Sequence, residues 1–169
     1  SAMVIVNTVV YVRDTLGRAE SGVAIALGAA GTGSMLVALL LPRLLDRRPD
    51  RPIMLGGAIL MALGLAWMGT GPGFSGLLPA WFLVGAGWSA VQTPAGRLVN
   101  RSASAGDRPA YFSAQFALSH ACWLVLYPVA GQLGTRIGIE MTAWLLAANV
   151  LLFALGASRL WPARDDEHM

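Results

Sequence analysis

The chain has 169 residues, of which 56% are hydrophobic and only 12% charged, about half the share of roughly 25% that a soluble domain carries. Its mean hydropathy is +0.60 and no long polar stretch interrupts it, which excludes an ordinary water-soluble domain and points to a membrane protein. The net charge of +3 comes from twelve arginines with no lysine; they sit between apolar runs rather than along one solvated face, which argues against nucleic-acid binding.

The chain opens with SAMVIVNTVVYV, which offers at most about ten apolar residues before Arg13 and Asp14, too few to span a bilayer. It lacks the basic leader and small-residue cleavage site of a signal peptide. The simplest reading of residues 3–12 is the last turns of a transmembrane helix whose beginning lies upstream. Five apolar runs follow, at about 21–42, 53–71, 74–96, 110–134 and 140–161. A helix needs about 20 residues to cross a hydrocarbon core of about 30 Å, and every run has that length. The runs are continuous and do not alternate, so helices are expected and a β-barrel is not. Small residues such as those of GVAIALGAAGTGSM let helices approach closely in lipid, and Pro79, Pro94 and Pro128 are tolerated there. Trp67, Trp81, Trp144 and Trp161 fall towards span ends and read as an interfacial belt. The expectation is an all-α membrane protein, one domain over 1–169, with five full spans, the end of a sixth, and a polar tail at 162–169.

Arginine counts predict the orientation. One set of loops holds Arg43, Arg47, Arg48, Arg51, Arg97, Arg101, Arg108, Arg159 and Arg164, and the alternate set only Arg13, Arg18 and Arg136. The hinge at 43–51, the 97–109 loop and the carboxyl terminus are therefore expected in the cytoplasm.

Polar residues within spans are functional candidates because they are costly in lipid. The fourth run is richest, with Ser113, Gln115, Ser119, His120, Cys122, Tyr127 and Gln132. Steps of three and four place Ser113, Phe116, His120, Trp123 and Tyr127 on one stripe. The third run adds Trp88, Gln92 and Thr93, and the last adds Asn149. The candidate cavity residues are His120, Gln115, Phe116, Trp123, Tyr127, Trp88, Gln92 and Asn149. His120 reads either as a proton carrier, since imidazole changes charge near neutral pH, or as a neutral histidine bonded to a neighbouring group. His120 and Cys122 point about 200° apart on a helix, so they do not converge on one metal ion, and no metal site is expected.

The acids Asp14, Glu20, Asp46, Asp50, Asp107 and Glu140 border the spans, and Asp165, Asp166 and Glu167 lie in the tail. There is no phosphate-cradling glycine loop followed by Lys and Ser/Thr, no nucleophile–base constellation, and a single cysteine, which excludes an internal disulfide. Neither an enzyme nor a cofactor is expected.

The segment PRLLDRRPDRP between the first two full spans resembles the loop signature of the major facilitator superfamily, G-x-x-x-D-R-x-G-R-R. Asp46 and Arg47 match its central pair and Arg51 its final basic position, while Pro42 and Pro49 replace the glycines and Asp50 replaces an arginine. VYVRDTLGRAESGVAIALGAAGTGSMLVALLLPRLLDRR resembles the end of that family's seventh helix and its eighth, and FLVGAGWSAVQTPAGRLVNRSASAGDRPAYFSAQFALSHACWLVLYPVAGQLG its tenth and eleventh. The resemblance implies the carboxyl-terminal half of a twelve-helix fold, with Asp46, Arg47 and Arg51 in a cytoplasmic gate loop. It implies transport of a small solute by alternating access of two bundles around a central site, with a proton-coupled exporter of a small organic compound as the preferred form. SHACW loosely resembles members linked to nickel or cobalt resistance, which stands as an alternative; a non-transporting membrane interaction subunit is the alternative of another class. The implied partners are the lipid bilayer, a small-molecule substrate, and either a missing amino-terminal half or a second copy; no nucleic acid is expected. Arginine without lysine, with abundant Ala and Gly, fits a G+C-rich bacterial genome and hence an inner membrane.

An antibody to ARDDEHM, used on native membranes, is expected to detect a band near twice the 17.8 kDa of this chain. A band at 17.8 kDa would instead establish a half-sized transporter that pairs with itself or a second subunit.

Overall fold

A peptide group left unpaired in lipid costs several kcal/mol, so an apolar run of spanning length closes its hydrogen bonds within a helix. The computed structural model describes residues 1–161, and among these there is no strand. Helix α1 spans Ala2–Val10 and continues through a wider π-type turn at Tyr11–Thr15. Then come α2 (Glu20–Leu45), α3 (Asp50–Gly69), α4 (Phe74–Ser102), α5 (Arg108–Ile137) and α6 (Ile139–Leu160). These last five are long and apolar enough to cross a membrane. The tail, with Arg164 and the three acids assigned to it, lies outside the described residues.

The connections at the two ends differ in chemistry. Where α1 meets α2, α3 meets α4, and α5 meets α6, the chain turns through Gly17, Gly71 and Gly138, whose φ angles are +61°, +68° and +88°. Glycine reaches this left-handed region without the steric cost a Cβ imposes. The α2–α3 and α4–α5 links lie at the opposite end, among the arginines. There α3 starts after Pro49 with Asp50 in its first turn, where a carboxylate complements the helix dipole. Helix α5 starts at Arg108 followed directly by proline, a residue suited to a first turn because its missing N–H would be unpaired there anyway.

Helix α4 is the centre of the bundle. It packs against α2 on one side and α3 on the other; α3 also packs on α6, and α1 lies against α5. Half of the apolar window of α4 is buried within the bundle, against 6% for α5. The close packing of α4 rests on glycines. A Cβ on Gly85 would collide with the Ala30 carbonyl of α2, and one on Gly33 with the Phe82 carbonyl of α4. A Cβ on Gly87 would collide with the Gly57 carbonyl of α3, and one on Gly57 would lie 2.8 Å from the Gly87 carbonyl. Residues two apart on a helix point about 200° from each other, so Gly85 and Gly87 serve opposite neighbours. Backbone contact of this kind gives van der Waals packing in lipid, where water exclusion supplies no force between helices.

Above these crossings lies a core of Leu77, Ala80, Trp81 and Val84 of α4 with Leu65 and Met68 of α3, Met3, Tyr11 and Val12 of the first segment, and Ala143 of α6. Trp81 corrects an expectation. It is fully buried and not part of an interfacial belt, because its indole N–H donates to Thr8 Oγ at 2.8 Å. A buried indole is stable in an apolar core when its one donor is satisfied. Trp67 and Trp144 remain exposed, with Trp144 donating to the Gly69 carbonyl at 2.9 Å.

Replacing Gly85 with Ala is expected to lower stability by about 1–3 kcal/mol, the usual cost of overpacking, because backbone on both helices must separate. Gly28→Ala, where a Cβ meets nothing within 4 Å, should leave stability unchanged or raised. Thermal unfolding of the two variants in one detergent makes the comparison.

Candidate functional site

The stripe on α5 forms a ladder of rings. His120 stacks on Phe116 with centroids 3.7 Å apart, Trp123 follows at 5.1 Å from His120, and Tyr127 stacks on Trp123 at 5.9 Å. Their spacing of four, three and four residues keeps them on one face. Across the gap Trp88 of α4 meets Trp123 at 5.8 Å, so an aromatic pair bridges the two helices. Trp88 follows Gly87 directly, and its ring position therefore depends on how closely α4 can approach α3.

Beside the ladder is a cleft of about 620 Å³ lined by Phe116, His120, Trp123, Gln92, Gln115 and neighbouring polar residues including Ser113. A second groove of about 300 Å³ adjoins it, sharing Gln92, Ser119 and Trp123 and adding Trp88 of α4 and Asn149 of α6. The two hollows thus bring Gln115, Phe116, His120, Trp123, Trp88, Gln92 and Asn149 together, with Tyr127 stacked at the edge. Cys122 lines the smaller groove and His120 the larger, so the two do not converge on one ion. Among the described residues no three His, Cys, Asp or Glu form a metal-binding group.

The hydrogen bonding of His120 defines its tautomer. Its Nδ1 lies 2.8 Å from the Phe116 carbonyl, which only accepts, so Nδ1 carries the hydrogen and Nε2 keeps a lone pair. Ser119 Oγ donates to the same carbonyl at 2.9 Å. The His120 ring is exposed on the free face of α5.

At the arginine-rich end the hinge loop is placed as follows. Asp46 caps α2 through its backbone N–H, bonded to the Pro42 carbonyl at 3.1 Å; its side chain and that of Arg47 are exposed and make no ion pair among the described residues. Arg51 donates to the Ser158 carbonyl in the last turn of α6 at 2.7 Å. The buried acid is Asp50, one of the three positions at which the loop departs from the family pattern. Its side chain is 2% exposed and lies between Arg101, which donates to Oδ2, and Arg97, 3.6 Å from Oδ1. Arg97 and Arg101 are four residues apart and so share one face of α4. That spacing, together with an acid at the start of α3, is the signal by which the cluster could have been found from sequence. The other missed group is on α1 and the turn that continues it: Asn7 Nδ2 donates to the Ala130 carbonyl of α5 at 3.2 Å, and Tyr11 OH to the Pro72 carbonyl at 2.7 Å.

Asp50→Ala leaves two arginines without their shared carboxylate and is expected to cost about 1–3 kcal/mol, whereas Asp46→Ala should stay within about 0.5 kcal/mol. Denaturant titration in detergent distinguishes them, and equal losses would show that the Asp50 cluster adds nothing to stability.

The family model of the Major Facilitator Superfamily matches residues 1–168. No curated protein and no solved structure matches the chain. A match over nearly the whole chain, on a bundle with five membrane-length helices, places this multi-pass membrane protein in the major facilitator superfamily, a family of transporters rather than enzymes.

Proposed function

We propose that this chain is the carboxyl-terminal half of a twelve-helix carrier that exports a small organic compound by alternating access, driven by protons entering in exchange. The observation that carries the reading is the exposed aromatic ladder of α5 with His120 within it, facing a cleft of about 620 Å³. Phe116 is 64% exposed and Leu124 77%, so α5 presents an apolar and aromatic face that a second six-helix bundle would cover. Within one bundle the first three helices and the last three form inverted repeats, and the site lies where such repeats meet.

In this reading the rings of Phe116, Trp123 and Trp88 hold the flat apolar part of a solute. Gln92, Gln115 and Asn149 supply hydrogen bonds that orient it. His120 takes a proton on Nε2 while Nδ1–H stays bonded to the Phe116 carbonyl, so protonation changes charge without turning the ring. The arginine-rich end faces the cytoplasm of a bacterial inner membrane. Arg51, tied to the end of α6, and the loop with Asp46 and Arg47 form the gate there, with Asp50 as its buried acid.

Everted vesicles containing the complete carrier, given an imposed proton gradient and a panel of small aromatic solutes, are expected to accumulate at least one of them. His120→Ala and His120→Gln should both reduce this accumulation to the level of empty vesicles while leaving solute exchange at equal pH intact. Undiminished gradient-driven accumulation by His120→Ala would remove the proton role. Failure of the wild type with every solute, in a folded protein, would favour a membrane interaction subunit.

A further inference from the structure

On a different side of the bundle, α2 and α3 leave a groove of about 860 Å³ between them at the arginine-rich end. It shares no lining residue with the His120 cleft. Its walls include Leu40 and Leu44 of α2 and Ile53, Gly56 and Leu60 of α3, and among its lining residues Arg48 alone has a polar side chain. From Val37 to Leu44 on one wall, and from Ile53 to Leu60 on the other, the apolar surface runs along the helix axes for about 10 Å. Arg48 stands in the α2–α3 loop, where the groove reaches the membrane surface. Arg43, Arg47 and Arg48 are all exposed and have no ion-pair partner among the described residues.

This shape has apolar length at membrane depth and a cation at the water boundary. A polar solute would find no hydrogen-bonding group on the walls. A protein helix laid into the groove would have to cover several unpaired arginines beside Asp46. A lipid satisfies both parts at once, with its chain along the helices and its charged head among the arginines. Guanidinium groups bind phosphate oxygens in charge-assisted pairs, and basic pockets between transmembrane helices take anionic head groups. We propose that the groove holds an acyl chain of an anionic phospholipid whose phosphate is bound by Arg48. The proposal rests on the chain spanning a membrane and not on the transport reading, so either stands if the other fails.

The test is native mass spectrometry of the full-length protein released from vesicles of equal phosphatidylglycerol and phosphatidylcholine. The wild type should retain phosphatidylglycerol over phosphatidylcholine. Arg48→Gln should lower phosphatidylglycerol retention about fivefold, the effect of one basic residue at an anionic surface, and leave phosphatidylcholine unchanged. Gly56→Leu should lower retention of both lipids; a Cβ there meets nothing within 4 Å, so the added side chain enters the groove and not the protein. Equal retention of the two lipids by the wild type would overturn the proposal. So would loss in Arg48→Gln with none in Gly56→Leu, which would mark a surface charge effect without a groove. A lipid-free wild-type dimer that becomes monomeric in Gly56→Leu would assign the groove to a second copy and overturn it as well.

Discussion

The contact on which the bundle depends is that of the α4 backbone with two neighbours at once. Gly85 admits the Ala30 carbonyl of α2 and Gly87 admits the Gly57 carbonyl of α3, from opposite sides of a single turn. Lipid offers no hydrophobic force to hold helices together, so their attraction must come from atoms in contact. Two glycines separated by one alanine meet that requirement with the shortest spacing that serves both sides. Trp81 fills the core one turn earlier on α4, and Trp88 follows Gly87 to meet the α5 ladder. Both rings take their positions from the same crossing.

The two ends of the bundle are closed by different chemistry. At the glycine-turn end, neutral groups bond to loop and helix-end carbonyls, Tyr11 to Pro72 and Trp144 to Gly69, beside one exposed ion pair, Arg13 with Glu20 at 3.4 Å. At the other end the links are ionic or charge-assisted, with Asp50 between Arg97 and Arg101 and with Arg51 on Ser158. A neutral hydrogen bond responds little to ionic strength, whereas partly exposed ion pairs are screened by salt. Helices α3, α4 and α6 are thus joined at the charged end, and among the described residues α5 takes no part in the ion pairs there.

Much of this was legible in the sequence. Continuous apolar runs of spanning length admit few structures in lipid, and helices form over them. The ladder followed from spacing alone, since positions 116, 120, 123 and 127 fall on one face of any helix. Trp81 was misread because its distance from a span end indicates depth along the membrane normal and says nothing of which way the side chain faces. Thr8, the partner that lets the indole be buried, is 73 positions away. The pairing of Asp50 was missed for a related reason: its partners lie on another helix, and the family pattern drew attention to Asp46. The α2–α3 groove was invisible because a gap between helices is a property of their packing and leaves no mark on either strand of sequence.

The one-residue connection at Gly138 has a mechanical consequence. Helix α5 has 30 residues and is about 45 Å long at 1.5 Å per residue. It is joined to α6 by an elbow with φ of +88°, a position at which a residue without Cβ has wide torsional latitude. Away from the elbow its lateral attachments are few, chiefly the Asn7 bond at Ala130, close to the pivot, and the Trp88–Trp123 rings. A swing of about 10° about Gly138 carries His120 through about 5 Å and the Arg108 end through about 8 Å, by the length of the arm alone. Leverage of that size belongs to α5 and not to α4, which is gripped along both sides.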